Sequence, residues 1–207
     1  DSFNKRERGL LVNASFEYRS PPSYSNVSPE ERDRWNAYLA QFLEKPKADV
    51  SPEDWKALEK SWKFPALIST ALDAGWRAGM VGALETGFVD LDNGEIVIPA
   101  EIAIKNDEQW QTELTPRSVK LLEKWLAQRS NKTKYDDSDR IWLNRKGNPY
   151  NSASLNDLLD NLMDEAGIEA HGRNLTWHSI RHSTGMYVYD QTQDLAMVAE
   201  ILRHVSL

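Results

Sequence analysis

The stretch that decides the fold is residues 176–185, which read Thr-Trp-His-Ser-Ile-Arg-His-Ser-Thr-Gly. Thr176 is a residue type that commonly caps a helix, so we predict a helix that begins just after it. His178 and Arg181 are three residues apart, so in a helix they share one face and can both reach one ligand. The buried stripe is predicted on the opposite side, at Ile180, Thr184, Tyr187 and Val188.

A second apolar segment with helical spacing covers roughly residues 195–202. We predict that it buries Leu195, Val198, Ile201 and Leu202. His204 follows at its end, so two imidazoles and one guanidinium would be presented from two packed helices. Such a set suits an anion, above all a phosphate, because Arg offers a planar fork of donors and His can donate or move a proton.

These motifs resemble the catalytic domain of the tyrosine recombinases, the phage-integrase family of DNA breaking and rejoining enzymes. The family's HxxR motif and its later second His are matched by His178, Arg181 and His204. The upstream Arg of a T-G-x-R-like turn is matched by Arg77 in Ala-Gly-Trp-Arg, and the hairpin Lys by Lys105. The order of the motifs along the chain is also that of the family.

The chain departs from the family pattern at three points. Met80 stands where the family usually has an acidic residue, and Arg203 stands where it has the Gly before the second His. The sequence ends at Leu207, before the position of the family's nucleophilic Tyr, so we expect that residue to lie beyond a C-terminally incomplete segment. Tyr187 and Tyr189 lie on the HxxR helix itself and do not match the position of the nucleophile.

The resemblance implies an α+β, mainly helical, tyrosine-recombinase-like catalytic domain with a small three-stranded antiparallel sheet. We predict strands at residues 88–91 and 95–98, joined by an Asp-Asn-Gly turn, and a third strand near residues 111–114. Residues 27–207 would form the catalytic domain. The Pro- and Ser-containing residues 1–26 are expected to be an irregular linker or arm.

The resemblance also implies the chemistry. A Tyr attacks the scissile phosphate, forms a 3′-phosphotyrosyl bond and releases a 5′-hydroxyl. Arg77 and Arg181 would hold the non-bridging oxygens, and Lys105 would protonate the leaving oxygen. His178 would move the Tyr proton or donate to the phosphate, and His204 would hydrogen-bond the phosphate. No cofactor and no metal are required.

The implied partner is a double-stranded DNA recombination site of a phage or mobile element, bound by a dimer or tetramer of the full-length protein. Three basic residues are candidates for contacts with DNA phosphates. They are Arg145 and Lys146 in a turn, and Arg173 in the loop before Thr176. The family's known assemblies also imply a shared C-terminal helix between copies.

The composition sets further bounds. The net charge of −7 over 207 residues argues against generic nucleic-acid binding but allows a local basic pocket in an acidic body. The chain has no Cys, which excludes disulfides and thiolate metal sites. No apolar run is long enough to span a membrane, so we expect a cytoplasmic protein.

Three alternatives stay open from the sequence. A zinc hydrolase would use His178 and His182 at i, i+4, but Ser179 stands where the general-base Glu of H-E-x-x-H belongs. A catalytically inactive recombinase-like module could bind DNA or regulate another protein. In an acidic helical interaction domain, the ordered set of polar residues would be a coincidence.

Overall fold

The computed structural model describes residues 1–18, 22–58, 60–102 and 108–203. Over these residues the chain is mainly helical, with one small sheet. The helices are α1 (Lys5–Glu17), α2 (Pro29–Phe42), α3 (Lys63–Ala74), α4 (Ala78–Ala83), α5 (Pro116–Arg129), α6 (Ser152–Ala166), α7 (Trp177–Thr192) and α8 (Leu195–Leu202). The strands are β1 (Val89–Asp90), β2 (Glu95–Ile98) and β3 (Trp110–Glu113).

The predicted three-stranded antiparallel sheet is confirmed, with the order β1-β2-β3. Ile96 and Ile98 of β2 are fully buried and turn one face of the sheet to the core. The turn before β2 is closed by the Asp90 carboxylate, which accepts hydrogen bonds from Asn93. β1 is shorter than predicted because Phe88 belongs to the 3₁₀ turn Thr86–Phe88 and Leu91 belongs to the turn before β2.

Helix α3 is the centre of the core. Ten of its twelve residues are buried, and it packs against α1, α5 and α7. Four Trp side chains that are almost completely buried fill the space around it: Trp76, Trp125, Trp142 and Trp177. Burial of such large apolar surfaces is the main driving force for folding, and it fixes α3 in place. The turn that follows the C-terminal end of α3 is thereby fixed as well.

The N-terminal segment differs from the prediction. Residues 1–26 are not irregular throughout, because Lys5–Glu17 form α1 with a capping box between Asn4 and Glu7. Leu11 and Val12 of this helix join the main core, and α1 packs against α3 and α6. The expectation of an irregular arm is therefore wrong for α1, whereas a domain boundary near residue 27 stays a prediction.

A second, smaller apolar cluster lies beside the main core. It joins α2 to the segment that follows, through Trp35, Leu39, Trp55 and Leu58. Arg34 anchors α2 to the rest of the chain through a two-pronged ion pair with Asp136, at 2.7 and 2.8 Å.

Candidate active site

The candidate site lies where the ends of α3 and α8 meet the N-terminal half of α7. Helix α3 ends at Gly75, whose φ of +64° is the left-handed conformation that favours glycine. Two residues later, Arg77 is the N-cap of α4 and is half-buried. Helix α7 begins after Thr176, which forms a capping box with Ser179, as its residue type predicts.

Arg181 is the centre of the site. Its side chain is buried, with 3% of the residue exposed. Nη1 donates to the carbonyl oxygen of Gly75 at 2.9 Å, and Nη2 donates to the carbonyl oxygen of Leu202. These bonds fix the guanidinium between α3 and α8. Arginine has five N–H groups, and for the others the described residues offer no acceptor.

The charge around Arg181 is positive. Burial and, as the smaller cause, the nearby positive charge of Arg77 together lower the pKa of the Arg181 guanidinium to about 10. The group stays protonated at neutral pH. Met80, where the family pattern has an acidic residue, is buried and contributes no compensating charge. Two neighbouring guanidinium groups of this kind suit an anionic ligand.

Two further residues, which sequence reasoning did not assign to the site, hold α7 on the end of α3. Trp177 Nε1 donates to the carbonyl oxygen of Trp76 at 3.2 Å, and Thr184 Oγ1 donates to that of Leu72 at 2.7 Å. Together with Arg181 they form a row at i, i+4 and i+7 on one face of α7. Side chains that can form hydrogen bonds, spaced at i, i+4 and i+7 on the core face of a helix, are the sequence signal for Trp177 and Thr184.

The two predicted faces of α7 and α8 are confirmed only in part. Ile180, Thr184 and Leu202 are buried, as predicted. The prediction that the buried stripe lies opposite Arg181 is wrong, because Arg181 is itself buried and shares one face of α7 with Thr184. Tyr187 is 40% exposed and Leu195 is 58% exposed, so their predicted burial is wrong. Leu195 is the first residue of α8, and Leu202 at the other end is its one buried residue.

His178 is exposed on α7, three residues before the buried Arg181. Its ring lies edge-on to that of His182, with 4.6 Å between the ring centroids. The imidazole is therefore within reach of a ligand that approaches from solvent. Lys105 and His204, the other two predicted catalytic residues, lie outside the described residues, and their roles stay predictions.

Arg145 and Lys146 are exposed in a tight turn. The Asn144 side chain stabilises this turn, since its Oδ1 accepts from the backbone N–H of Lys146 at 2.9 Å and of Asn148 at 3.0 Å. The turn therefore presents both basic side chains to solvent. Such a position is compatible with the predicted phosphate contacts, which stay predictions.

Arg173 has a different environment. Its guanidinium forms a two-pronged ion pair with Glu7, at 2.7 and 3.0 Å. The other donors bond to the carbonyl oxygens of Ser2, Glu169 and Ala170. Every N–H group of the side chain thus has an acceptor within the protein, and a DNA phosphate would have to displace one of them.

The described part of the chain contains no group of three or more His, Asp or Glu side chains that could hold a metal ion. No helix in the same residues is both long and apolar enough to cross a membrane.

The site and the fold together define a class of protein. Residues 55–207 match the model of the phage integrase family, and the chain belongs to that family. Its architecture is that of the catalytic domain of tyrosine recombinases, which confirms the fold class predicted from the sequence.

Curated relatives that match the chain include tyrosine recombinases named XerC. The chain is similar to tyrosine recombinase XerC of Actinobacillus pleuropneumoniae serotype 7 (strain AP76), with 24% identity over 142 residues, 69% of this chain and 44% of the relative. It is also similar to XerC of Neisseria gonorrhoeae (strain ATCC 700825 / FA 1090), with 23% identity over 201 residues, 84% of this chain and 63% of the relative. The chain thus spans about half the length of these relatives.

Solved structures give the same architecture. XerA recombinase superposes with a TM-score of 0.61 at 20% identity, covering 97% of this chain and 83% of the other. XerH site-specific recombinase bound to its difH substrate, in a pre-cleavage complex, superposes with a TM-score of 0.65 at 21% identity. That match covers 99% of this chain and 47% of the other.

Proposed function

We propose that this chain is the catalytic domain of a site-specific DNA recombinase that breaks and rejoins DNA through a 3′-phosphotyrosyl intermediate. The observation that carries the proposal is the pairing of Arg77 with the buried Arg181 at the joint of α3, α7 and α8. A buried cation next to a second cation is costly unless an anion completes the site, and a phosphodiester is the anion that the family acts on.

In the proposed reaction, Arg77 and Arg181 hold the two non-bridging oxygens of the scissile phosphate and stabilise the charge of the transition state. Pre-organisation supports this role for Arg181, because its guanidinium is already fixed by Gly75 and Leu202 before DNA arrives. His178 accepts or relays the proton of the attacking Tyr.

The remaining steps rest on residues outside the described ranges. Lys105 protonates the leaving 5′-oxygen, and His204 donates a hydrogen bond to the phosphate. The longer protein supplies the Tyr from beyond Leu207, and no cofactor or metal enters the reaction.

The proposed partner is a double-stranded recombination site on a phage or mobile element. The similar XerH site-specific recombinase, whose structure contains its difH substrate, supports a DNA partner. Arg145 and Lys146 would contact backbone phosphates. Exposed apolar side chains on α7 and α8, namely Met186, Leu195 and Met197, support an assembly of two or four copies on DNA. We place the protein in the cytoplasm, where such DNA is available.

The alternative is a recombinase-like module that binds DNA without cutting it. The departure at Met80 favours this alternative, because the family's acidic residue is missing next to the paired arginines. Binding and cleavage must therefore be measured separately.

A nicked suicide substrate tests the proposal. The protein that extends past Leu207 is incubated with nicked DNA carrying its candidate site, and a covalent protein–DNA adduct is sought on a denaturing gel. We expect an adduct with the unchanged protein, loss of the adduct with Arg181→Ala, and no loss with Arg129→Ala. Arg129 is a matched control because it also donates to backbone carbonyls but lies outside the site. DNA binding without any adduct would favour the non-cleaving module.

A further inference from the structure

An arginine from the N-terminal helix reaches the helix that carries the HxxR motif. Arg8 of α1 donates from Nη1 to the hydroxyl oxygens of Ser183 at 2.7 Å and Thr184 at 3.2 Å. Its Nη2 donates to the carbonyl oxygen of Leu72 at 3.0 Å. One guanidinium thus bonds to α7 and to the last turns of α3 at the same time.

These contacts join the row of hydrogen bonds that positions the candidate site. The Ser183 hydroxyl donates to the carbonyl oxygen of Ile180 at 2.7 Å, directly before Arg181. The Thr184 hydroxyl donates to Leu72, the same carbonyl that Arg8 contacts. Arg8 therefore connects α3 to the turn of α7 that carries Arg181. The connection lies one helical turn before the Gly75 carbonyl that Arg181 itself contacts.

We propose that Arg8 is a positioning residue for this site: it fixes the spacing between α3 and α7, and so brings Arg77 and Arg181 to one phosphate. This inference rests on the proposed function. Arg8 lies outside residues 55–207, the part of the chain that matches the family model.

The geometry of the Arg8 contacts suits an arginine better than a lysine. A planar fork can bond to three acceptors on two helices, whereas a lysine ammonium is a point charge that cannot span them in the same geometry. The guanidinium also stacks over the Tyr187 ring, 5.0 Å from its centroid.

The same helix provides a matched control. Glu7, the neighbour of Arg8, anchors α1 to Arg173 in the loop before α7 and makes no bond to α7 itself. A variant at Glu7 weakens the attachment of α1 but leaves the Arg8 contacts in place. The pair of variants thus separates the positioning of α7 from the general docking of α1.

The first measurement is hydrogen exchange in the 207-residue chain, which needs no catalysis. Arg8→Met keeps the apolar stem and removes all donors. We expect the amides of residues 178–184 to exchange about tenfold faster in this variant, and Arg8→Lys to be intermediate. Glu7→Gln should leave the same amides close to the unchanged protein. Equal exchange in Arg8→Met and the unchanged chain would overturn the proposal.

The second measurement is adduct formation by the longer protein on nicked DNA. At saturating DNA, we expect Arg8→Met to lower the single-turnover rate by about tenfold or more, because small misplacements of catalytic groups are costly. The Kd for DNA should change by less than about twofold. An equal loss of rate in Glu7→Gln, or a loss explained by Kd alone, would contradict a positioning role. If the unchanged protein forms no adduct, the proposed function is wrong. The hydrogen-exchange data then decide by themselves whether Arg8 positions α7.

Discussion

The Arg181 guanidinium donates a hydrogen bond of 2.9 Å to the carbonyl oxygen of Gly75, a residue 106 positions earlier in the chain. The close approach that makes this bond possible depends on the absence of a side chain at Gly75. A Cβ at this position would lie 2.6 Å from Leu202 Cδ2 and 3.3 Å from Thr184 Cβ. The glycine therefore has two functions, to end α3 in a left-handed turn and to admit α7 and α8.

A comparison of two glycines tests this double function. Gly75 and Gly167 both end helices, at φ +64° and +67°, but only Gly75 is in a crowded place. We expect Gly167→Ala to lower the free energy of unfolding by about 1 kcal/mol, the cost of the left-handed backbone. Gly75→Ala should cost roughly 1–3 kcal/mol more because of overpacking. Urea denaturation measures both, and equal losses would show that α7 and α8 do not require the space.

Lys63 is a buried cation with few partners. It is 7% exposed, and its Nζ donates to the carbonyl oxygen of Leu143 at 3.0 Å. Burial lowers the pKa of Lys63 to about 7, and the positive charges of Lys132 and Arg145 act in the same direction. Relative to the unfolded chain, the folded state therefore favours the neutral amine.

This lowered pKa predicts a pH dependence of stability. Between pH 7 and the ordinary lysine pKa of 10.5, the unfolded chain binds more protons at residue 63 than the folded chain. The free energy of unfolding contributed by Lys63 should therefore rise with pH in this window, by at most about 1.4 kcal/mol per unit. Lys63→Met should be more stable than the unchanged chain at pH 7 and should lose this rise.

Denaturation by urea at several values between pH 7 and 10 measures the difference. The exposed Lys120 supplies the control, since Lys120→Met removes a lysine without removing a buried one. Parallel curves for Lys63→Met and the unchanged protein would contradict a lowered pKa at residue 63.

Arg145 and Arg173 were both predicted from the sequence to contact DNA, but their surroundings differ. Arg173→Ala leaves Glu7 without its partner and should lower the free energy of unfolding by about 1–2 kcal/mol, with little change in the salt dependence of DNA binding. Arg145→Ala should leave stability nearly unchanged and reduce the salt slope of DNA binding by about one. Thermal melting and fluorescence titration at several salt concentrations separate the two effects. A reduced salt slope in Arg173→Ala would instead support its phosphate contact.

The parts of the fold that were predictable from the sequence are those governed by local rules. Helix α6 begins at its Asn151 cap and ends at Gly167, and α5 begins after Thr115, because capping depends on residues a few positions apart. The Asp-Asn-Gly turn likewise predicts the β1–β2 hairpin. In each case the deciding atoms are close in sequence.

The parts that were not predicted depend on distant partners. Helix α1 has a capping box, Asn4 with Glu7, which is a readable signal. Its buried side includes the small residues Ala14 and Ser15, so the apolar stripe is weak. The partners of Arg8 lie up to 176 positions away, and no spacing rule connects them. The same holds for the candidate site. The order of its motifs can be recognised in the sequence, whereas the backbone carbonyls that orient Arg181 cannot.

Arg203 provides the last prediction, because it occupies a position at which the family pattern has glycine. It ends α8 in the left-handed conformation, with φ +53°. Its guanidinium lies over the Trp110 ring, 5.6 Å from the centroid.

Both Arg203→Gly and Arg203→Ala lose this contact, so the difference in stability between the two variants reports the cost of the left-handed backbone alone. We expect the glycine variant to be more stable by about 1 kcal/mol in urea denaturation. The same pair at the exposed helical Glu200 should show the opposite order, with alanine favoured by about 1 kcal/mol. Equal stability of the two Arg203 variants would mean that α8 ends in a different conformation.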